Sequence, residues 1–275
     1  MKIQNYLFVL TIFVVTACQT RNTVENGITY ATIDVEESYP LLNNPENPSY
    51  ELKLSFTYPA ACKDEEALEK IQRLFLSSFF DETYANYAPG EAMAQYVKNK
   101  LNGYKTLEDE FKKAIKKKKS DSLVRFFHHE ALFNKVVFNK GGFISFNVHA
   151  ENYTGGAHPN HTLTNHVIDV QRGTFLTEEE LFVEDFKGRM AQILVKNITA
   201  QKELDNPEQL KELGFFDIGK IVPNGNFLLD DDGVTYSFNE YEIAAYSAGT
   251  INVHVAYDEI RDILRKGNPI RHIVK

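Results

Sequence analysis

Two runs in which apolar and polar residues alternate, 143–150 and 162–170, stand on either side of Tyr153-Thr154-Gly155-Gly156-Ala157-His158-Pro159. Alternation with a period of two is the pattern of a strand with one buried face. Two such runs joined by a short loop predict neighbouring strands, so this stretch constrains the fold more than any other. The adjacent glycines supply either positive φ or room for another backbone or a ligand to come close. Tyr153, His158, Asn160, His161 and His166 crowd the same span, which concentrates candidate chemistry there.

The rest of the chain reads as alternating blocks of strand and helix. Residues 28–39 alternate weakly and 50–58 strongly, separated by a loop rich in proline and asparagine. Asp64-Glu65-Glu66 opens a helix with Leu68, Ile71, Leu74, Phe75 and Phe79 on one face. Pro89-Gly90 is expected to break the chain, and a second helix follows, with Gly103 as the place where it divides. Its end carries Lys112, Lys113, Lys116, Lys117, Lys118 and Lys119, which complement a helix C-terminus. Residues 122–138 fit a strand or a helix followed by a strand. Asn139-Lys140-Gly141-Gly142 is a turn.

Thr177-Glu178-Glu179-Glu180 has the form of a capping box, and helices are expected over 186–204, 207–213 and 258–264. Asn224-Gly225 and Asp230-Asp231-Asp232-Gly233 mark turns, with strands at 234–239 and 250–256. This order predicts an α+β fold of antiparallel-rich sheet packed with helices, not a doubly wound parallel sheet. Burial predicts that the strands around Phe146 and Val253 share one sheet. Gly155-Gly156 and Ala248-Gly249 are expected to meet there.

The N-terminus carries Lys2, a short apolar run over residues 6–15, and Val15-Thr16-Ala17-Cys18. That is a secretion signal ending in a lipobox-like site, too short to span a membrane. Residues 1–17 are read as the signal peptide, Cys18 as the lipidated residue and 18–27 as a tether. Cys62 is then left alone, so no intramolecular disulfide is expected. The net charge of -8 over 275 residues argues against a nucleic-acid partner, which requires a basic face.

Two segments carry a resemblance. Tyr153 to His158, followed by Asp169, Gly173 and Leu181-Phe182, and then Tyr241-Glu242-Ile243-Ala244-Ala245-Tyr246-Ser247-Ala248-Gly249, resemble the paired DUF4163 and DUF3298 domains of the PdaC/RsiV-like superfamily. The resemblance implies a DUF4163-like part over 28–158 and a DUF3298-like part over 159–275, forming one unit. The second part would be similar to a small subdomain of the Hsp70 ATPase. Relatives of this kind include lysozyme-sensing anti-sigma factors, modules preceding a peptidoglycan deacetylase, and stand-alone lipoproteins. Pro159 departs from the glycine common at its position.

Three chemistries compete for the glycine loop. Zinc would need three or four converging donors, and His161 and His166, five apart, point to opposite faces of a strand. A hydrolase acting on cell-wall glycan would need a nucleophile or paired carboxylates beside a base, and no G-x-S-x-G occurs. A binding site needs only exposed backbone N–H groups and amphipathic rings. Tyr153, Gly155, Gly156, His158, Tyr241 and Tyr246 are therefore the candidate ligand-binding residues, with no metal, no cofactor and no catalytic group assigned. The reading is an envelope lipoprotein with a non-enzymatic binding or sensing role, toward peptidoglycan or a lysozyme-like protein. Cys18→Ala should release the protein from membranes into the soluble fraction; identical fractionation of variant and parent would refute the lipid anchor.

Overall fold

The computed structural model describes residues 26–116 and 123–274. The signal sequence, Cys18, nearly all of the tether, and Lys117, Lys118 and Lys119 lie outside them. The two early alternating runs are β1 (Thr29–Pro40) and β2 (Ser49–Ala61), paired antiparallel. In β2, Leu52, Leu54 and Phe56 are buried while Glu51 and Lys53 face solvent. Asp64 caps α1 (Glu65–Phe79), its carboxylate accepting from the N–H groups of Glu66 and Ala67 at 3.0 and 3.1 Å. Pro89-Gly90 does not break the chain but opens α2 (Pro89–Lys105), because proline at the first helical position loses no helical bond. The division expected at Gly103 falls at Thr106, whose N–H closes onto the Gly103 carbonyl at 3.2 Å, and α3 (Glu108–Lys116) follows.

The undecided segment is a short 3-10 turn, Val124–Phe126, leading into β3 (His128–Lys140). It continues as β4 (Phe143–Tyr153), β5 (Asn160–Asp169) and the two-residue β6 (Thr174–Phe175). These strands form a six-stranded sheet in sequential order, antiparallel except where the helices carry the chain over to make β2 and β3 parallel. α1, α2 and α3 cover one face, and Phe75 stacks on Phe146 with ring centroids 4.0 Å apart. The β2–β3 ladder ends at Ser55 and Phe133, and the Asn134 amide continues it. That amide both donates to and accepts from the Thr57 backbone at 2.7 Å.

The remaining chain builds a second layer. Thr177 N–H donates to the Glu180 carboxylate at 2.9 Å and starts α4 (Glu178–Leu181). α5 (Phe186–Gln201) then buries Met190, Ile193, Leu194 and Ile198 as its spacing predicts. The segment Pro207–Leu213 is 3-10 rather than α. β7 (Phe227–Leu229), β8 (Gly233–Phe238) and β9 (Ile251–Ala256) make a separate three-stranded antiparallel sheet. The helix expected over 258–264 is a 3-10 turn, Tyr257–Glu259, and further turns. Its backbone is diverted to pair with the chain after α4, where Val183 N–H bonds Ile263 and Arg265 N–H bonds Leu181. The fold is thus α+β, with helices on two sheets.

β4 and β9 do not share a sheet, contrary to the pattern-based expectation. The sheets meet where β5 lacks a neighbour, and asparagine side chains take the place of a strand. Leu163 N–H donates to Asn239 Oδ1 at 2.7 Å, and the Leu163 carbonyl accepts from the amides of Asn239 and Asn226 at 3.1 and 2.9 Å. Asn165 N–H donates to Asn226 Oδ1 at 2.7 Å. Removing such a partner leaves buried backbone groups unpaired, at about 1–3 kcal/mol. Asn239→Ala should therefore lower stability by about 2 kcal/mol in a denaturant melt; an unchanged midpoint would show that the seam is not holding the sheets.

Candidate functional site

The loop between β4 and β5 is held by its own residues. Gly155 sits at φ +83°, and a Cβ there would lie 2.2 Å from the Arg125 Cα, so only glycine fits. Gly156 has open space around it and no positive φ. The close approach expected between the glycine pair and Ala248-Gly249 is instead made to Arg125, and Gly249 also faces open space. Tyr153 Oη donates to the Gly156 carbonyl at 2.9 Å, which closes the loop from inside.

The distant motif after β8 nevertheless reaches this loop. The His158 and Tyr246 rings stack with centroids 3.9 Å apart and an interplanar angle of 27°. Tyr241 lies 5.8 Å from Tyr246, and its hydroxyl is 3.4 Å from His158 Nε2. Tyr246 Oη donates to the Pro159 carbonyl at 3.1 Å. Tyr241 itself adopts a left-handed φ of 63° and is 57% exposed, so its ring is offered to solvent at a conformational cost. The candidate residues Tyr153, Gly155, Gly156, His158, Tyr241 and Tyr246 therefore belong to one continuous surface.

Beneath the rings runs a file of carboxylates and imidazoles. Glu240 Oε1 lies 2.9 Å from His161 Nδ1, and His161 Nε2 is 3.7 Å from Glu151 Oε2. Glu151 Oε1 is 2.7 Å from His129 Nε2, and the His129 ring stacks against Tyr153 at 5.8 Å. Sheet register makes this file, since His129 pairs with Tyr153 and Glu151 with His161 across adjacent strands. Glu240 is mostly buried, and its second oxygen, Oε2, has no hydrogen-bond partner among the described residues. Partial loss of hydration, then the charge of Glu240, pushes the Tyr246 hydroxyl above its ordinary pKa. Glu151, Glu240 and His129 escaped the sequence reading because strand register aligns Glu151 and His129, and the docking of the second sheet brings in Glu240. The one local signal was Glu151, two residues before Tyr153 and so on the same strand face.

His166 takes no part in this surface. As the five-residue spacing required, it points to the other side of β5, where its ring packs between Phe146 and Phe175 at 5.0 and 5.1 Å. Among the described residues no three His, Cys, Asp or Glu side chains converge to hold a metal ion.

Known proteins share this architecture. Residues 32–161 match the family described as deacetylase PdaC, and residues 179–258 match the DUF3298 family, described as a protein of unknown function. The structure of a DUF3298 family member from Bacteroides fragilis superposes with a TM-score of 0.85 at 24% identity, covering 92% of this chain and 99% of that one. A DUF3298 family protein from Pseudomonas aeruginosa gives a TM-score of 0.60 at 14% identity, over 88% of this chain and 96% of that one. No curated protein matches the chain by sequence.

Burial pushes the His166 pKa down from 6.5 to about 4. Between those values the unfolded chain binds a proton that the folded chain does not, so stability falls as pH falls through the window. A loss of roughly 3 kcal/mol is expected between pH ~6.5 and ~4. His166→Leu should flatten that part of the profile in denaturant melts at stepped pH; an equally steep profile in the variant would assign the loss elsewhere.

Proposed function

We propose that this chain, with its two family matches and its α+β fold, is a cell-envelope binding module that recognises glycan at the Tyr241–Tyr246–His158 surface, carried to the membrane by lipid on Cys18. One observation carries the reading. The exposed His158 and Tyr241 rings flank the half-buried Tyr246, on which His158 stacks, above a file of carboxylates and imidazoles that begins at Glu240. Rings of this kind meet the C–H faces of a sugar, and carboxylates and imidazoles accept from and donate to its hydroxyls. The lipobox-like Val15 to Cys18 supports a location beside the cell wall.

A second reading, recognition of a basic lysozyme-like protein, is favoured by the net charge of -8 and by Phe216, which is exposed and hydrogen-bonded through its N–H to the Ile243 carbonyl in the Tyr241 loop. Both readings use Tyr241, and the partner presented decides between them. Pull-down on purified peptidoglycan should retain the parent protein, and Tyr241→Ala with Tyr246→Ala should reduce retention about tenfold or more, as loss of aromatic anchors does. Retention on immobilised lysozyme but not on peptidoglycan would replace the glycan reading by the protein one. Release of acetate or sugar from the peptidoglycan, lost in His161→Ala, would make the file an active site instead.

A further inference from the structure

We infer that the cleft between α2 and the β3–β4 corner is a second binding site, which takes one neutral, hydroxyl-rich ring such as a saccharide unit. The cleft holds about 350 Å³ and lies on the helix-bearing side of the sheet. Glu151, His161 and the Tyr246 ring lie on the opposite side of the sheet, and His129 borders both surfaces at the start of β3. A volume of this order sits at the lower end of the roughly 300–1,000 Å³ found for small-ligand clefts.

The lining specifies the ligand. Its floor is a cluster of aromatic rings, with Tyr104 5.5 Å from Tyr50 and 5.1 Å from His128. That floor is rigid, because Tyr104 Oη donates to the Phe126 carbonyl at 2.5 Å and Tyr50 Oη donates to Glu130 Oε2 at 2.8 Å. The two charges in the wall cancel, since Lys100 Nζ lies 2.7 Å from Glu130 Oε2, while Tyr96 donates to the other Glu130 oxygen. His128 adds no charge at neutral pH, because burial lowers its pKa against the opposing pull of the Arg125 carbonyl. Asn99, Asn152 and Thr154 line the rest with amide and hydroxyl groups. An apolar floor, a neutral wall and a rim of uncharged donors and acceptors match a ring that carries C–H on its face and hydroxyls at its edge. A charged ligand would find no unpaired counter-charge.

Gly103 is the second, independent observation. It lies within α2, where glycine is among the poorest residues for helix stability. Packing does not demand it there, since a Cβ at 103 would meet nothing within 4 Å and its φ is ordinary. What the missing side chain leaves open is the cleft, which Gly103 lines. The helix thus gives up intrinsic stability at a wall position where a side chain has open space to enter.

The inference does not depend on glycan recognition at Tyr246, and its test separates the two. Ligand-observed NMR on the full chain would use cellobiose and N,N′-diacetylchitobiose as neutral probes and glucuronate as the charged control. Saturable binding of a neutral probe, absent for glucuronate, is expected. It should weaken about tenfold or more in Gly103→Leu, whose Tm should not fall, and be unaffected by Tyr246→Ala. Asn152→Phe, from the opposite wall, should block the probe as well and serves where Gly103→Leu perturbs the helix. The inference is overturned if neither neutral probe binds, if binding survives both blocking variants, or if Tyr246→Ala alone abolishes it.

Discussion

The unpaired edge of β5 is the constraint on which the rest of this structure depends. A strand edge presents N–H and carbonyl groups that cost free energy if they are buried without partners. At Leu163 and Asn165 another strand is not available, because β6 pairs only with Ile168 and Asp169. Asn239 and Asn226 meet the need with side-chain amides, which carry the same donor and acceptor as a peptide group. Asn165 is tied back in turn through its own amide to Ser237 Oγ at 2.7 Å. One strand further in, the fully buried Ser145 bonds the Leu229 backbone at 2.8 and 3.1 Å, so β4 is buried on both faces. A polar seam therefore joins the two sheets where a hydrophobic contact would have left the edge unsatisfied.

The candidate site follows from the seam. Asn239 directly follows β8, so the next residues, Glu240 and Tyr241, are delivered to the β4–β5 loop in one orientation. Glu240 then meets His161, two residues before Leu163 on the same edge. Tyr246 closes onto His158 and Pro159 after a turn held by the Ala245 N–H bond to the Gly214 carbonyl at 3.0 Å. The site is thus a by-product of sheet docking, which leaves Tyr241 and His158 exposed above the half-buried Tyr246. Rings held by backbone contacts lose little conformational freedom when they bind, and that favours recognition.

The end of β4 serves two surfaces through its alternation. Glu151 and Tyr153 project toward the second sheet and the ring cluster, whereas Asn152 and Thr154 line the cleft against α2. Gly155 then turns the chain over Arg125, at the rim between the two. An extended ligand crossing that rim would touch both.

The sequence alone determined the element types wherever the periodicity was long: β2, α1, α5 and the β4–β5 pair appear where alternation or helical spacing placed them. It also determined that His161 and His166 diverge, because a period of two leaves no other choice along a strand. It singled out Tyr153 and His158 as candidates beside the glycine pair, and Tyr241 and Tyr246 through the resemblance of their segment to a known domain pair. It misjudged the C-terminal segment 258–264, whose helical spacing lost to backbone pairing with Leu181 and Val183, and it misread Pro89 as a break rather than a helix start. Tertiary structure alone decided that β4 and β9 lie in separate sheets and that Gly155, not Gly156, is the position that must be glycine. It alone lined up Glu240, His161, Glu151 and His129. The physical reason is the same in each case: periodicity reports which face of an element is buried, whereas which strand or side chain satisfies a given backbone group depends on register between segments far apart in the chain.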